Sequence, residues 1–141
     1  MKELFDTSVL VAAFWGGHRD HEVSLKLLAA ANKRQSACAV HSLAEVYAVM
    51  TALPARPAIP PEQALLFVQA ARERLALVTL DEQDYVDAIE RTAELGFTGG
   101  RIYDALLLKC AAKVKARTIY TWNLRHFLAI DPGQAGRMRT P

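Results

Sequence analysis

The sequence predicts an α/β fold in three layers, with helices on both faces of a central, mostly parallel sheet of four or five strands. Short apolar runs of strand character alternate with longer segments of helical period, which is how a parallel sheet with helical crossovers reads. At 141 residues, 52% hydrophobic and 23% charged, the chain suits one globular domain over residues 1–141 that buries roughly two-thirds of its unfolded surface. The apolar runs are short and interrupted, and the opening Met-Lys-Glu-Leu-Phe-Asp lacks the basic stretch and long apolar core of a secretory signal. A cytoplasmic protein with no membrane association is expected. The formal charge of +2 neither demands nor excludes a polyanionic partner.

Leu4 and Phe5 make the first strand, and the apolar run after Asp6 continues as a helix that the Thr7 and Ser8 hydroxyls are expected to cap. Val23, Leu25, Leu27, Leu28 and Ala31 give residues 18–33 an amphipathic period, entered through Asp20 and Glu22. Residues 36–40 read as a buried strand. Residues 42–53 are helical and apolar nearly all round, until Pro54 stops them; Pro61 then opens a helix over 62–75. A third strand follows at 77–80. Asp81 with Asp84 has the spacing of a helix cap, and Gly96 sits where a left-handed residue closes that helix. Gly99 and Gly100 release the chain into a helix over 102–115, then a fourth strand at 118–121. A weaker fifth strand is expected at 128–130, and a loose tail at 133–141, where apolar residues are few. There is no internal repeat. Cys38 and Cys110 lie in apolar settings without Cys-x-x-Cys spacing and are expected to be small buried hydrophobes.

Three segments each carry one carboxylate in a stretch otherwise almost free of charge. Asp6 is the only formally charged residue over 4–18, Glu45 the only one over 35–55, and Asp104 stands alone between Arg101 and Lys109. Carboxylates are seldom buried without a partner. Two of them about 4 Å apart repel by roughly 4 kcal/mol at an effective dielectric of about 20, so a converging set calls for a proton or a divalent metal. Ligands of open parallel sheets bind at the carboxyl ends of the strands. Asp6 ends the first strand, Glu45 lies about one turn into the helix after the second, and Asp104 opens the helix before the fourth. All three can reach one edge, and Asn123, just past the fourth strand, can join them. Each also has an ordinary explanation: a cap for Asp6, a helix-dipole partner for Asp104, a solvent-facing stripe for Glu45.

Four motifs, Leu-Phe-Asp-Thr-Ser-Val-Leu at the start, Ser42-Leu-Ala-Glu45-Val, Gly99-Gly-Arg-Ile-Tyr-Asp104-Ala and Tyr120-Thr-Trp-Asn123, follow in an order and spacing that cover essentially the whole chain. In these the chain resembles PIN-domain ribonucleases, specifically the VapC-type toxins of toxin–antitoxin pairs. The resemblance implies a Mg²⁺ or Mn²⁺ site built from Asp6, Glu45 and Asp104, with Asn123 as a fourth catalytic position, and an endoribonuclease that cleaves RNA phosphodiester bonds. Oxygen-only ligands suit such hard cations. The resemblance also implies a homodimer and a cognate VapB-type antitoxin, for which Leu25, Leu28, Leu66 and Phe67 on the helices at 18–33 and 62–75 could form a groove. Core packing accounts for each of these four equally well. The chain departs from the family pattern where a fourth acid is common: Asn123 and His126 occupy the two places it takes.

Thr7 and Ser8 could hold a metal-bound water instead of capping, and Thr121 carries the same ambiguity. Arg101 and Arg125 flank the acidic edge and could neutralise RNA phosphates, although solvated arginines are the commoner case. His18 and His21 read as the solvated start of a helix, while His41, one turn before Glu45, is close enough to touch the site. Trp15, Trp122 and Phe127 read as core or rim. The alternative function is a catalytically weak or inactive PIN-like interaction domain. A haloacid-dehalogenase-type phosphatase would want a second aspartate where Ser8 stands, and no glycine-rich nucleotide signature is present.

Overall fold

The computed structural model describes residues 2–141, and its elements follow the predicted alternation. Strand β1 (Glu3–Phe5) leads directly into α1 (Thr7–Phe14), then α2 (His21–Ala30), β2 (Ser36–Ala39), α3 (Val40–Ala52) and α4 (Pro61–Arg74). Strand β3 (Ala76–Val78), α5 (Glu82–Glu94), α6 (Arg101–Lys113) and β4 (Thr118–Tyr120) come next, followed by α7 (Leu124–Ile130), a 3-10 turn (Pro132–Arg137) and β5 (Met138–Arg139). All five strands are parallel, in the order β3-β2-β1-β4-β5.

Side chains alternate across the sheet, as a period of two requires. Leu4, Ala37, Ala39, Val78 and Ile119 join one apolar cluster with α5, α6 and α7, whereas Phe5 and Cys38 join another with α1, α2, α3 and α4. That is the expected three-layer arrangement. Because β1 is flanked by β2 on one side and β4 on the other, the chain leaves the sheet in opposite senses around it. The crevice between the carboxyl ends of β1 and β4 is therefore the place where a ligand is expected.

Local signals hold at several boundaries. Pro61 is the first residue of α4, Asp81 and Asp84 close a reciprocal capping box on α5, and Gly96 takes φ +72° just past its end. Both cysteines are buried and free.

Two expectations near the C-terminus are corrected. Residues 128–130 are not a strand but the end of α7, because Leu124, Phe127 and Leu128 recur at helical spacing and bring Phe127 and Ile130 against the core. Nor is 133–141 a loose tail: Met138 is buried, β5 pairs with β4 at Ile119↔Met138 and Tyr120↔Arg139, and the Thr121 N–H donates to the Arg139 carbonyl. One buried methionine and an open sheet edge suffice to place this short segment. Neither leaves a pattern in the sequence.

Candidate active site

Asp6, Glu45, Asp104 and Asn123 line one cleft of about 300 Å³ at the carboxyl edge of the sheet, together with Thr7, Ser8, His18 and Trp122. Each comes from a different element. Asp6 is the residue between β1 and α1, where the junction is too tight to leave a loop. Glu45 projects from α3, Asp104 from the first turn of α6, and Asn123 stands just before α7.

Asp6 is 3% exposed and occupies the N-cap position of α1, yet its carboxylate makes no capping bond. The Thr7 and Ser8 main-chain N–H groups still lower its pKa, so serving the helix start is only part of what this residue does. Its Oδ2 instead accepts the Ser8 hydroxyl at 2.6 Å and the Thr121 hydroxyl at 2.7 Å. Thr7 does not cap the helix either. Its Oγ1 lies 2.9 Å from Ser42 Oγ and 3.0 Å from Glu45 Oε1, so the hydroxyl serves the second acid from the neighbouring helix on the same face of the sheet. These bonds correct the expectation that Thr7 and Ser8 are helix caps, and the reason is positional: Asp6 takes the N-cap place, and both hydroxyls lie inside the helix beside an acid.

The electrostatics are those of an acidic cluster short of positive charge. Burial pushes Asp6 above the usual carboxylate range, against the pull of the Ser8 and Thr121 hydroxyls. Burial also raises Glu45, which Thr7 lowers and the Asp6 charge raises again. Asp104 is pushed up to about 6, first by burial and next by Asp6; His126 and Arg101 offset part of this. Arg101 Nε and His126 Nδ1 lie 3.8 Å and 3.7 Å from Asp104 Oδ2, distances of ion pairing and not of hydrogen bonding. The Arg101 guanidinium also rests over the Phe97 ring, 4.3 Å from its centre.

An all-oxygen set of three carboxylates, each held above its ordinary value by burial and two of them, Glu45 and Asp104, also by the charge of neighbouring acids, fits a hard divalent cation, which would relieve that repulsion. Among the described residues, no three acidic, histidine or cysteine side chains are drawn into a ready-made cage.

The remaining candidates divide. His126 touches the site through Asp104, while Arg125 is exposed. His41 lies 3.6 Å from Glu45 Oε1 and stacks on Tyr103, with ring centres 4.9 Å apart. His21 is not a solvated helix start, because its Nδ1 bonds the Ala12 carbonyl at 2.8 Å; His18, expected beside it, instead lines the cleft. Phe127 is core, and Trp122 is rim, anchored by its Nε1 to Ser24 Oγ at 2.9 Å. Sequence reasoning gave Ser42 no part in the site. Its place one turn ahead of Glu45's carboxylate was the available signal.

An open parallel sheet with carboxylates and hydroxyls gathered at its topological switch point defines a class of acidic-site α/β proteins suited to phosphoester chemistry. Within that class the assignment is narrower: the PIN domain profile matches residues 4–131, and the chain belongs to the PIN domain family. It is 33% identical to the ribonuclease VapC40 of Mycobacterium tuberculosis over 120 residues, 85% of each chain. Among solved structures, the chain superposes on Mycobacterium tuberculosis VapC20, a toxin that cleaves the sarcin-ricin loop, with a TM-score of 0.71 and 15% identity, covering 86% of this chain and 90% of that one. It also matches Rickettsia felis VapBC2, solved bound to a promoter DNA fragment, with a TM-score of 0.66 and 20% identity over 99% and 98% of the two chains.

Proposed function

We propose that this protein is a divalent-metal-dependent endoribonuclease that acts in the cytoplasm as the toxin of a VapBC-type toxin–antitoxin pair. The observation that carries the reading is the meeting of Asp6, Glu45 and Asp104, from three separated segments, in one cleft of a PIN-family chain related to a VapC ribonuclease. Asp6, Glu45 and Asp104 would hold Mg²⁺ or Mn²⁺. When bound, such an ion lowers the pKa of a water and stabilises the charge that develops on a phosphodiester during in-line displacement.

The chain's own residues do the rest. The Thr7 hydroxyl keeps Glu45 turned into the cleft, and the Ser8 and Thr121 hydroxyls do the same for Asp6. Arg101, restrained by Phe97, places a cation beside Asp104 where an RNA phosphate would arrive. Asn123 offers an amide to orient water or substrate at the position where an acid is common in the family.

Partners follow from the same reading. Of the four residues expected to line an antitoxin groove, Leu25 and Leu66 are exposed, whereas Leu28 is buried and Phe67 stacks on Phe14. The exposed pair supports an apolar contact with an antitoxin segment. The exposed Val40, Tyr47 and Val49 of α3 support a homodimer. One observation favours the second reading, a weak or inactive interaction domain: the spread acids have Asn123 and His126 in place of a fourth carboxylate.

Incubation of the purified chain with total RNA, with Mn²⁺ or with chelator, separates the two. Cleavage that needs the metal and disappears in Asp104→Asn supports the ribonuclease. RNA left intact at every metal concentration leaves the interaction domain.

A further inference from the structure

A hydroxyl has one proton to give and two lone pairs to receive with. Ser8 Oγ receives the main-chain N–H of Trp122 at 2.9 Å, and Thr121 Oγ1 receives the N–H of Asn123 at 2.9 Å. With an N–H arriving on each oxygen, each hydroxyl proton is turned the other way. Both turn to the same atom, Asp6 Oδ2, at 2.6 and 2.7 Å. Oδ1 receives neither hydroxyl, and the Thr7 and Ser8 main-chain N–H groups add weaker stabilisation to the carboxylate than the two hydroxyls do, without a capping bond of full geometry. The turn after β4 thereby fixes the rotation of a carboxylate on the far side of the crevice.

We infer that Ser8 and Thr121 are positioning residues that fill Oδ2 of Asp6, so that Asp6 offers a divalent cation one oxygen only, Oδ1. This rests on the metal site proposed above. The alternative is that the two hydroxyls merely tie the end of β4 to the start of α1. A monodentate Asp6 leaves coordination positions for water and phosphate, which a bidentate carboxylate would take.

The test is Mn²⁺ binding by titration calorimetry on the parent, Ser8→Ala, Thr121→Val and Thr121→Ser, with urea unfolding in chelator run on each. Thr121→Val keeps the shape and loses the proton, whereas Thr121→Ser keeps the proton. Loss of a bond that orients a ligand typically weakens metal affinity by about 10–100-fold, and Ser8→Ala and Thr121→Val should fall in that range while Thr121→Ser stays near the parent. Should Thr121→Val fail to fold, Ser8→Ala against the parent decides the matter. A parent that binds Mn²⁺, with both hydroxyl-free variants binding equally well and showing only reduced stability, overturns this inference alone. A parent that binds no Mn²⁺ overturns the metal reading and this inference with it.

Discussion

The bonds at Asp6 make one substitution unusually clean. In Asp6→Asn, the amide oxygen can accept both the Ser8 and Thr121 hydroxyls, which leaves the amide nitrogen facing the cleft in the place of a metal-binding oxygen. Asp6→Asn, Glu45→Gln and Asp104→Asn should each remove most RNA cleavage in a gel assay and leave the circular dichroism spectrum unchanged, and cleavage at the parent rate by all three would place the active site elsewhere. Stability should even rise where repulsion is relieved. Asp104 titrates near 6 in the folded chain, above its ordinary value of 3.8, chiefly because it is buried and then because Asp6 is close. The folded chain therefore takes up this proton before the unfolded chain does as pH falls. Without metal, Asp104 should add stability that grows as pH falls from about 6 to about 4, is reduced in size by solvent screening at this partly open site, and is lost as pH rises through about 6. Urea unfolding in chelator across that range should show the slope in the parent and a flatter one in Asp104→Asn. At Asn123, which lines the same cleft, substitution by aspartate should tighten Mn²⁺ binding in calorimetry, since affinity follows ligand charge. Unchanged affinity would turn attention to His126, which already approaches Asp104.

Among the elements, those with local chemical signatures were legible before any tertiary contact was known. The Asp81–Asp84 box that opens α5 could be read from two residues three apart, and its bonds are present at 2.9 and 3.0 Å. Asp81→Ala should cost about 1 kcal/mol in urea unfolding and leave RNA cleavage alone, because the box lies at the start of α5 and none of its residues lines the acidic cleft. The last two elements had no such signature. Residues 128–130 carry three consecutive largely apolar positions, which suit a strand as well as a helix, and only the packing of Phe127 and Ile130 against α6 and the sheet decides for α7. Strand β5 is two residues long, too short for any period to be seen. Its reality is testable: Met138→Ala removes a buried side chain and should destabilise by about 2 kcal/mol. An unchanged unfolding midpoint would mean that the segment contributes nothing to the fold.

At the scale of the whole molecule, a site that gathers negative charge and compensates only part of it predicts that the proposed metal stabilises the protein. Binding to the folded state alone raises stability by about 2.7 kcal/mol at a hundredfold excess over Kd, so the melting temperature should climb with Mn²⁺ concentration and fall back on chelation. No rise at saturating Mn²⁺ would remove the metal from the mechanism. The three-layer architecture was legible because both apolar faces of the sheet are fed by alternating residues and covered by separate sets of helices.

By itself the sequence singled out the side chains that the fold brings to one cleft: three carboxylates isolated in apolar segments call for a proton, a hydrogen-bond partner or a cation once they converge, and strand-helix alternation puts their segments on one sheet edge. What only the tertiary structure decided is how those atoms are held. Whether a serine or threonine caps a helix, holds water or turns a carboxylate depends on the nearest donor or acceptor in space. For Thr121 that neighbour is Asp6, 115 residues away along the chain. His18 entering the cleft, Ser42 meeting Thr7 and the placing of β5 beside β4 have the same origin. Periodicity records which face of an element is buried, but a hydrogen bond between distant segments is fixed only when the sheet has brought them together.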